Sequence, residues 1–501
     1  MKKTSNSIVS NTKEKRKNKL SKWKVSATVF ALLCSSMFLV NDKHIVAEEP
    51  NYQGVSFETG AYQHDAPAPY GFNYSQNSQY ASTNTNKVNW IYSLPYDESP
   101  GVFSIKQFWG KPAIDKDGIV YMNNQNGNMY AFNRDGTVKW KLPISSVENK
   151  KTNIIGSDGT IYNSSANLYA INPDGTEKWV AKSPSSGRFS EPAIDKDGTI
   201  YMLNDSQNDE KLYAFNPDGT LKFKGTTDLS NFGMTISHGN GMLIGKNGYM
   251  YVLMERASLK YVVALDKSGN KVWSKELSGD FILYAMDHKG DLFVTQRSGS
   301  RSNVYKLNGT TGDVLVQKPY NTYQINGPIV DFTNGDVYID IDGQLTKFDN
   351  DLNELWKKPY RTNMEVAIDK NRDIIVADSF GIYKLNKDGE QIWKLDNKTI
   401  QTLKFDNKTI SDGVIAPGYY NPAIDKEGKV YLSFNSSYSN SNTFYSLISI
   451  GDPVEQPIDF CTYYGSLEKK LNDKTLTKEE QTKAIEKTEK LLDQLKSYSA
   501  E

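Results

Sequence analysis

The stretch "YAFNRDGTVKW" (Tyr130 to Trp140) is written again, nearly unchanged, as "YAINPDGTEKW" (Tyr169 to Trp179) and as "YAFNPDGTLKF" (Tyr213 to Phe223). Each copy is a short apolar run, an Asp-Gly pair and a second run ending in an aromatic ring. Asp-Gly between β-formers is hairpin chemistry, because glycine takes the positive φ that a tight turn needs. Just upstream of the first copy lies another hairpin signal, "PAIDKDGIVYM" (Pro112 to Met122). Two hairpins in series make a four-stranded antiparallel meander of about 40 residues, the size of one propeller blade.

Eight units are counted by their first turns, at Asp117-Gly118, Asp158-Gly159, Asp197-Gly198, Asn247-Gly248, Lys289-Gly290, Asn334-Gly335, Arg372-Asp373 and Glu427-Gly428. The seventh turn lacks glycine. Seven units end, at Trp140, Trp179, Phe223, Trp273, Leu315, Trp356 and Trp393. The eighth starts as "NPAIDKEGKVYLSF" (Asn421 to Phe434), continues through "TFYSLISI" (Thr443 to Ile450) and has no closing strand. Conversely, "KVNWIYSLP" (Lys87 to Pro95) is a closing strand with no beginning. The expectation is an all-β, eight-bladed β-propeller over residues 87–451. The strand around Trp90 would complete the last blade, since an open ring leaves an unpaired edge.

Six of the eight tryptophans, Trp90, Trp140, Trp179, Trp273, Trp356 and Trp393, stand at one position of the unit, which marks a packing role. Such a ring is a large apolar plate whose N–H can reach a backbone carbonyl. Ala131, Ala170, Ala214 and Ala264 precede the turn on an inner strand, where a small side chain lets the next blade approach. Gly136, Gly175, Gly219 and Gly269 supply the positive φ of the turn.

The pattern Ala-x-Asp/Asn-x-x-Gly-x-x-x-Trp resembles the tryptophan-docking repeat of quinoprotein-type propellers. That superfamily includes the eight-bladed pyrroloquinoline quinone (PQQ) dehydrogenases. It also includes cofactor-free scaffold proteins, such as the propeller lipoprotein of the bacterial outer-membrane assembly machine, and these the chain resembles most. The resemblance covers about residues 88–450. It is looser in unit five, where "KLNGTTGDVL" (Lys306 to Leu315) lacks Ala and Trp, and in unit six, where "KFDNDLNELW" lacks Gly. The dehydrogenases imply a catalytic Asp, a Ca²⁺ site of carboxylate and amide oxygens, and often an adjacent Cys pair over the cofactor. None of these can be placed on residues here, so no cofactor is expected.

Both flanks differ from the repeats. Residues 1–47 hold a Lys/Arg-rich start, the apolar run "VSATVFALLCSSMFLV" (Val25 to Val40) and a small-residue exit. This is the layout of a signal peptide cleaved between Ala47 and Glu48, the alternative being an uncleaved anchor. That segment carries ten Lys/Arg and two Asp/Glu, so the remainder has 49 basic and 57 acidic residues, a net of −8. An acidic chain with interspersed charges argues against nucleic acid as a partner. Cys461 alone would remain after cleavage, which excludes an intrachain disulfide. A long basic leader and scarce cysteine resemble secreted proteins of Gram-positive bacteria, so a secreted or envelope-associated location is expected. Residues 48–86, rich in Asn, Ser, Gln and Tyr, read as a flexible linker. Residues 458–501 read as a helical hairpin with a capping box at Thr477 and Glu480. Its apolar stripe would dock locally or drive self-association.

His64, His238 and His288 are unpaired at metal-ligand spacing, and the Asp-rich turns lack the loop length and bidentate Glu of a calcium site. No catalytic, cofactor-binding or metal-ligating residue is assigned. The expected function is non-catalytic binding or scaffolding of a protein or a cell-envelope polysaccharide. The alternative is an extracellular enzyme on the same propeller, either quinone-dependent or a polysaccharide hydrolase or lyase. The loops "NDSQNDEK" (Asn204 to Lys211), "QRSGSRSN" (Gln296 to Asn303) and "NSSYSNSNT" (Asn435 to Thr443) all fall at central hairpins and should project from one face.

Overall fold

The computed structural model describes residues 77–94, 108–144, 153–402, 404–417 and 422–452, with short interruptions, and five positions between 470 and 482. The chain divides into two compact units, residues 53–453 and residues 1–52 with 454–501. In the second unit Lys470, Lys478 and Thr482 are helical. The segment read as a signal peptide, its cleavage site at Ala47 and Glu48, and nearly all of the hairpin read at 458–501 lie outside the described residues.

The described residues between 88 and 450 form an eight-bladed β-propeller of four-stranded antiparallel sheets, with almost no helix. Blades one to seven follow chain order, at 108–143, 154–182, 193–224, 235–278, 281–320, 325–358 and 366–396. Blades four and eight have a first strand broken in two, Thr235–Ile236 with Leu243–Ile244 and Val414–Pro417 with Ala423–Ile424. Blade eight takes its outer strand from the other end of the domain. Val88–Ser93 pairs antiparallel with Thr443–Ile450, Trp90 opposite Ser449 and Tyr92 opposite Leu447.

Burial follows from the architecture. Each blade is covered on both faces by its neighbours, so middle strands are buried throughout: Val120–Asn124 and Ile374–Asp378 are buried at every residue. Outer strands face solvent and alternate, as Val138–Pro143 does. The core is therefore divided among the gaps between blades. Between blades one and two, for example, Ala113, Tyr121 and Ala131 meet Ile155, Ile161 and Ile171.

Two details differ from the sequence reading. Blade five places Val316 rather than Leu315 at the docking position of its outer strand, Val314–Tyr320. Its second turn is one residue longer, Asn308 N–H donating to the Asp313 carbonyl, and this shifts the register so that Lys306 pairs with Val316. Leu315 points outward and is exposed. In addition, residues 77–86, at the end of the stretch read as a linker, lie along the propeller. Asn77 bridges Ile368 and also bonds the Val330 carbonyl, Ser82 is buried against Asp369, and Thr83 N–H donates to Gly428 O.

Candidate functional site: the two ends of the ring

Antiparallel strands sort the connections to two ends. One end carries the turns between strands one and two and between strands three and four. The other carries the central hairpins and the links between blades.

The turn end is consumed by structure. In blade one the Asp115 carboxylate accepts the N–H groups of Asp117 and Ile119 through one oxygen and the Tyr121 hydroxyl through the other. Asp425 repeats this with Glu427, Lys429 and Tyr431. Burial, reinforced by Asp115, holds the Tyr121 hydroxyl far above the ordinary tyrosine pKa. The oxygens that suggest calcium in the sequence thus cap the turns.

Tryptophans join the blades at this end. Five of the six docking rings lie on the next blade's second turn, and the Nε1 of each donates to a carbonyl there. Trp90 donates to Arg134, Trp140 to Pro173, Trp179 to Pro217, Trp273 to Gly309 and Trp356 to Lys387, at 2.9–3.1 Å. The turn glycines are held against these rings. A β-carbon on Gly136, Gly175 or Gly219 would sit 2.5–2.8 Å from Trp90, Trp140 or Trp179. Gly312 is placed likewise against Trp273. Gly269 faces Leu212 instead, because Phe223 has neither the reach nor the N–H; that seam is tied by Lys267 to Asp195. Ala131, Ala170, Ala214 and Ala264 stand on third strands directly opposite Trp140, Trp179, Phe223 and Trp273.

Blades five to seven replace that alanine with a lysine, a change that sequence reasoning missed. Lys306, Lys347 and Lys384 occupy the position, opposite Val316, Trp356 and Trp393. Each is buried and faces the aspartate directly after the positive-φ residue of its own blade's first turn: Asp291 at 3.6 Å, Asp336 at 2.9 Å and Asp373 at 3.1 Å. Blades one to four have Ile119, Thr160, Thr199 and Tyr249 there. The signal was a change in two columns together, Ala becoming Lys where an uncharged residue becomes Asp.

At the last seam no turn is available, because the outer strand of blade eight comes from the start of the domain. Trp393 Nε1 donates instead to the carbonyl of Thr83, 2.9 Å away. Lys384 Nζ reaches the Ser82 carbonyl and Asn84 Oδ1, each at 2.9 Å. Residues 82–84 therefore do the work of a blade turn.

The opposite end is varied. Central hairpins are prolonged in blades four, five and eight, whose middle strands run seven or eight residues (Met250–Arg256 with Leu259–Leu265, Leu292–Ser298 with Arg301–Leu307, Val430–Ser437 with Thr443–Ile450). Those of blades one, two, three, six and seven run four or five. The three polar loops singled out in the sequence all sit at this end, as second-to-third strand connections.

Near the axis at this end, the first strands of blades one to three bring polar groups together. Lys111 is 1% exposed at an irregularity in Phe108–Ile114, and Glu191 is buried just before Ala193–Ile194. Burial pushes the Lys111 ammonium well below the ordinary lysine pKa, and the charge of Glu191 works against that. Asn163 Nδ2 donates to buried Asn153 Oδ1 at 2.8 Å. This donor set does not fit a quinone–calcium centre. Among the described residues no three His, Cys, Asp or Glu side chains converge, and Lys111 brings a cation where that centre needs anionic oxygens.

The model of the family of the outer membrane protein assembly factor BamB matches residues 82–238 and 258–403. The chain belongs to that family. It starts to match within the residues that complete the last seam, and its repeats are the docking units described above. Among curated proteins the chain is 34% identical over 84 residues to the uncharacterized protein YxaL of Bacillus subtilis strain 168. That match spans 17% of this chain and 18% of YxaL. Among solved structures, quinohemoprotein alcohol dehydrogenase ADHIIG of Pseudomonas putida HK5 superposes with a TM-score of 0.52 at 12% identity, over 79% of this chain and 84% of that one. A europium-containing methanol dehydrogenase gives 0.52 at 9%, over 77% and 98%. Identities this low speak for the fold shared by the BamB family and the quinoproteins.

Proposed function

We propose that the protein is a binding scaffold, secreted or held at the cell envelope, which engages a protein or an envelope glycan without turning it over. The observation that carries this is the unequal use of the two ends. Turn groups are spent on docking blade to blade, whereas the opposite end departs from the repeat in hairpin length and residue type. Membership of a family described as an assembly factor supports the same reading. The test is co-sedimentation of the full chain with isolated envelopes, before and after protease shaving and polysaccharide stripping. Saturable retention is expected, and the stripping identifies the class of ligand. No retention at micromolar protein would overturn it.

A second reading, an enzyme acting at the axis, is favoured by one observation: the deeply buried Lys111 beside Glu191, since perturbed charges gather at active sites. Release of product from envelope polysaccharide, lost on Lys111→Met, would establish it.

A further inference from the structure

Resting on the binding reading, we infer that the hairpin end of blades four to seven is the docking surface and that its occupant is an acidic protein segment carrying an apolar anchor residue. The exposed arginines among the described residues all lie at one end. At the turn end Arg134 pairs with Glu427 at 2.8 Å, and Arg372 pairs with Asp331 and Asp336 at 2.6 and 2.7 Å. At the hairpin end Arg256, Arg301 and Arg361 are exposed and form no ion pair among the described residues. Arg256 and Arg301 stand at the tips of the long hairpins of blades four and five. Arg361, in the link from blade six to blade seven, lies beside Gly343 of the blade-six hairpin.

Two aromatic rings share this end. Tyr323, in the link from blade five to blade six, is 58% exposed, and Phe380, at the blade-seven hairpin, is 69% exposed. The other large apolar side chains exposed among the described residues all lie on outer strands. Asp340 and Asp378 are buried here, whereas Asp342 and Glu276 are exposed and hydrogen-bonded. Asp342 accepts the Thr322 hydroxyl, Asp340 the Thr362 N–H, and Asp378 the N–H groups of Phe380 and Gly381. The groups that face solvent here include three guanidinium groups and two aromatic rings, the side-chain types that dominate protein contacts. The scaffold beneath is braced by the Tyr261–Glu276 bond at 3.0 Å and a Gln317–Asn303–Gln296 ladder at 3.1 and 2.8 Å. Guanidinium forks match carboxylates in pairs of hydrogen bonds. A protruding phenylalanine gains from water only by meeting another apolar group, which favours a protein over a polyanionic glycan.

The test measures anisotropy of a labelled twelve-residue synthetic peptide of alternating Glu and Asp with two Phe, titrated with the full chain. Control peptides carry Gln and Asn for the acids, or Ser for Phe; dextran sulfate is the polyanion control. The wild type should bind the acidic Phe peptide saturably. R256E/R301E/R361E should weaken it about tenfold or more, and Y323S/F380S several-fold. K116E/K289E, at exposed turns of the other end, should leave it unchanged, with all melting temperatures alike. The inference is overturned if the wild type ignores the peptide, if arginine reversal leaves affinity intact, or if only dextran sulfate responds to the reversal. Retention on envelopes without peptide binding would sink this surface and leave the scaffold reading standing; loss of both would sink the two together.

Discussion

Replacing Lys384 with alanine should destabilise the propeller by about 3–5 kcal/mol, and adding Asp373→Thr should restore most of that. The lysine is fully buried. Its ammonium lies 3.1 Å from Asp373 and 3.5 Å from Asp369, and it donates to Ser82 O and Asn84 Oδ1. Removing it leaves two carboxylates in the protein interior with no counter-charge, which is where the large penalty for breaking a buried pair arises. The double variant takes one of those carboxylates away. Asp369 remains satisfied, because it accepts from Ser82 N and Oγ and from the N–H groups of Asn371 and Asp373. Thr with Ala is also what blades two and three hold at these positions, as Thr160 with Ala170 and Thr199 with Ala214. The cavity left by the lysine stem should keep the double variant about 1–2 kcal/mol below the wild type. Urea unfolding followed by tryptophan fluorescence gives both numbers. A single variant within 1 kcal/mol of wild type, or a double variant no better than the single, would refute the argument that charge burial dominates here.

Gly136→Ala should lower stability by about 2–4 kcal/mol, since φ is +85° and the new β-carbon would meet Trp90 at 2.6 Å. Gly290→Ala, at φ +93° with nothing within 4 Å, should lose only the conformational part, about 1 kcal/mol; equal losses in thermal melts would show that ring contact is irrelevant. Trp393→Phe should remove the bond to Thr83 for about 1–2 kcal/mol, and hydrogen exchange of residues 77–86 should quicken more than that of the blades. Burial pushes the Asp425 carboxyl up to about 6 against the hydrogen bond from Tyr431. A carboxyl with a raised pKa holds its proton longer in the folded state, so its contribution is present below pH 4 and is lost as pH rises toward 6. Relative to Asp425→Asn, the wild type should lose about 2–3 kcal/mol between pH 4 and 7, and parallel curves would count against it.

The turns and the tryptophans were legible because each is local chemistry written at a fixed period. Asp-Gly calls for a positive φ wherever it occurs, and a ring that must cover the next turn recurs once per blade. What escaped was chemistry completed by another blade. Arg372 takes φ +68° where glycine was missed, held by Asp331 and Asp336 of blade six. Leu352 takes φ +61° in the blade-six turn that lacks glycine, its side chain buried. The extra residue before Val316 is visible as "NGTTGD", but its effect on register depends on the bond that closes the turn.

Residues 77–86 show why composition misled. Few aliphatic side chains and many Asn, Ser and Thr suggest a chain that cannot bury enough surface to order. Here the segment is held by hydrogen bonds instead. Asn77, Ser82, Asn84 and Asn86 bond to backbone or charged groups of blades six and seven, and Thr83 donates its N–H to Gly428 of blade eight and offers its carbonyl to Trp393. The same logic explains the division between the ends. Each seam asks the turn end for one carbonyl, one small residue and one capped turn, so that end can vary only through compensated exchanges such as Ala–Thr for Lys–Asp. None of the docking tryptophans reaches the hairpin end, where strand length differs from blade to blade. Arg256, Arg301, Arg361, Tyr323 and Phe380 are unremarkable along the chain, scattered over more than a hundred residues. Only the ring gathers them at one end, and that is why a surface can be absent from the sequence as a motif and still be specified by it.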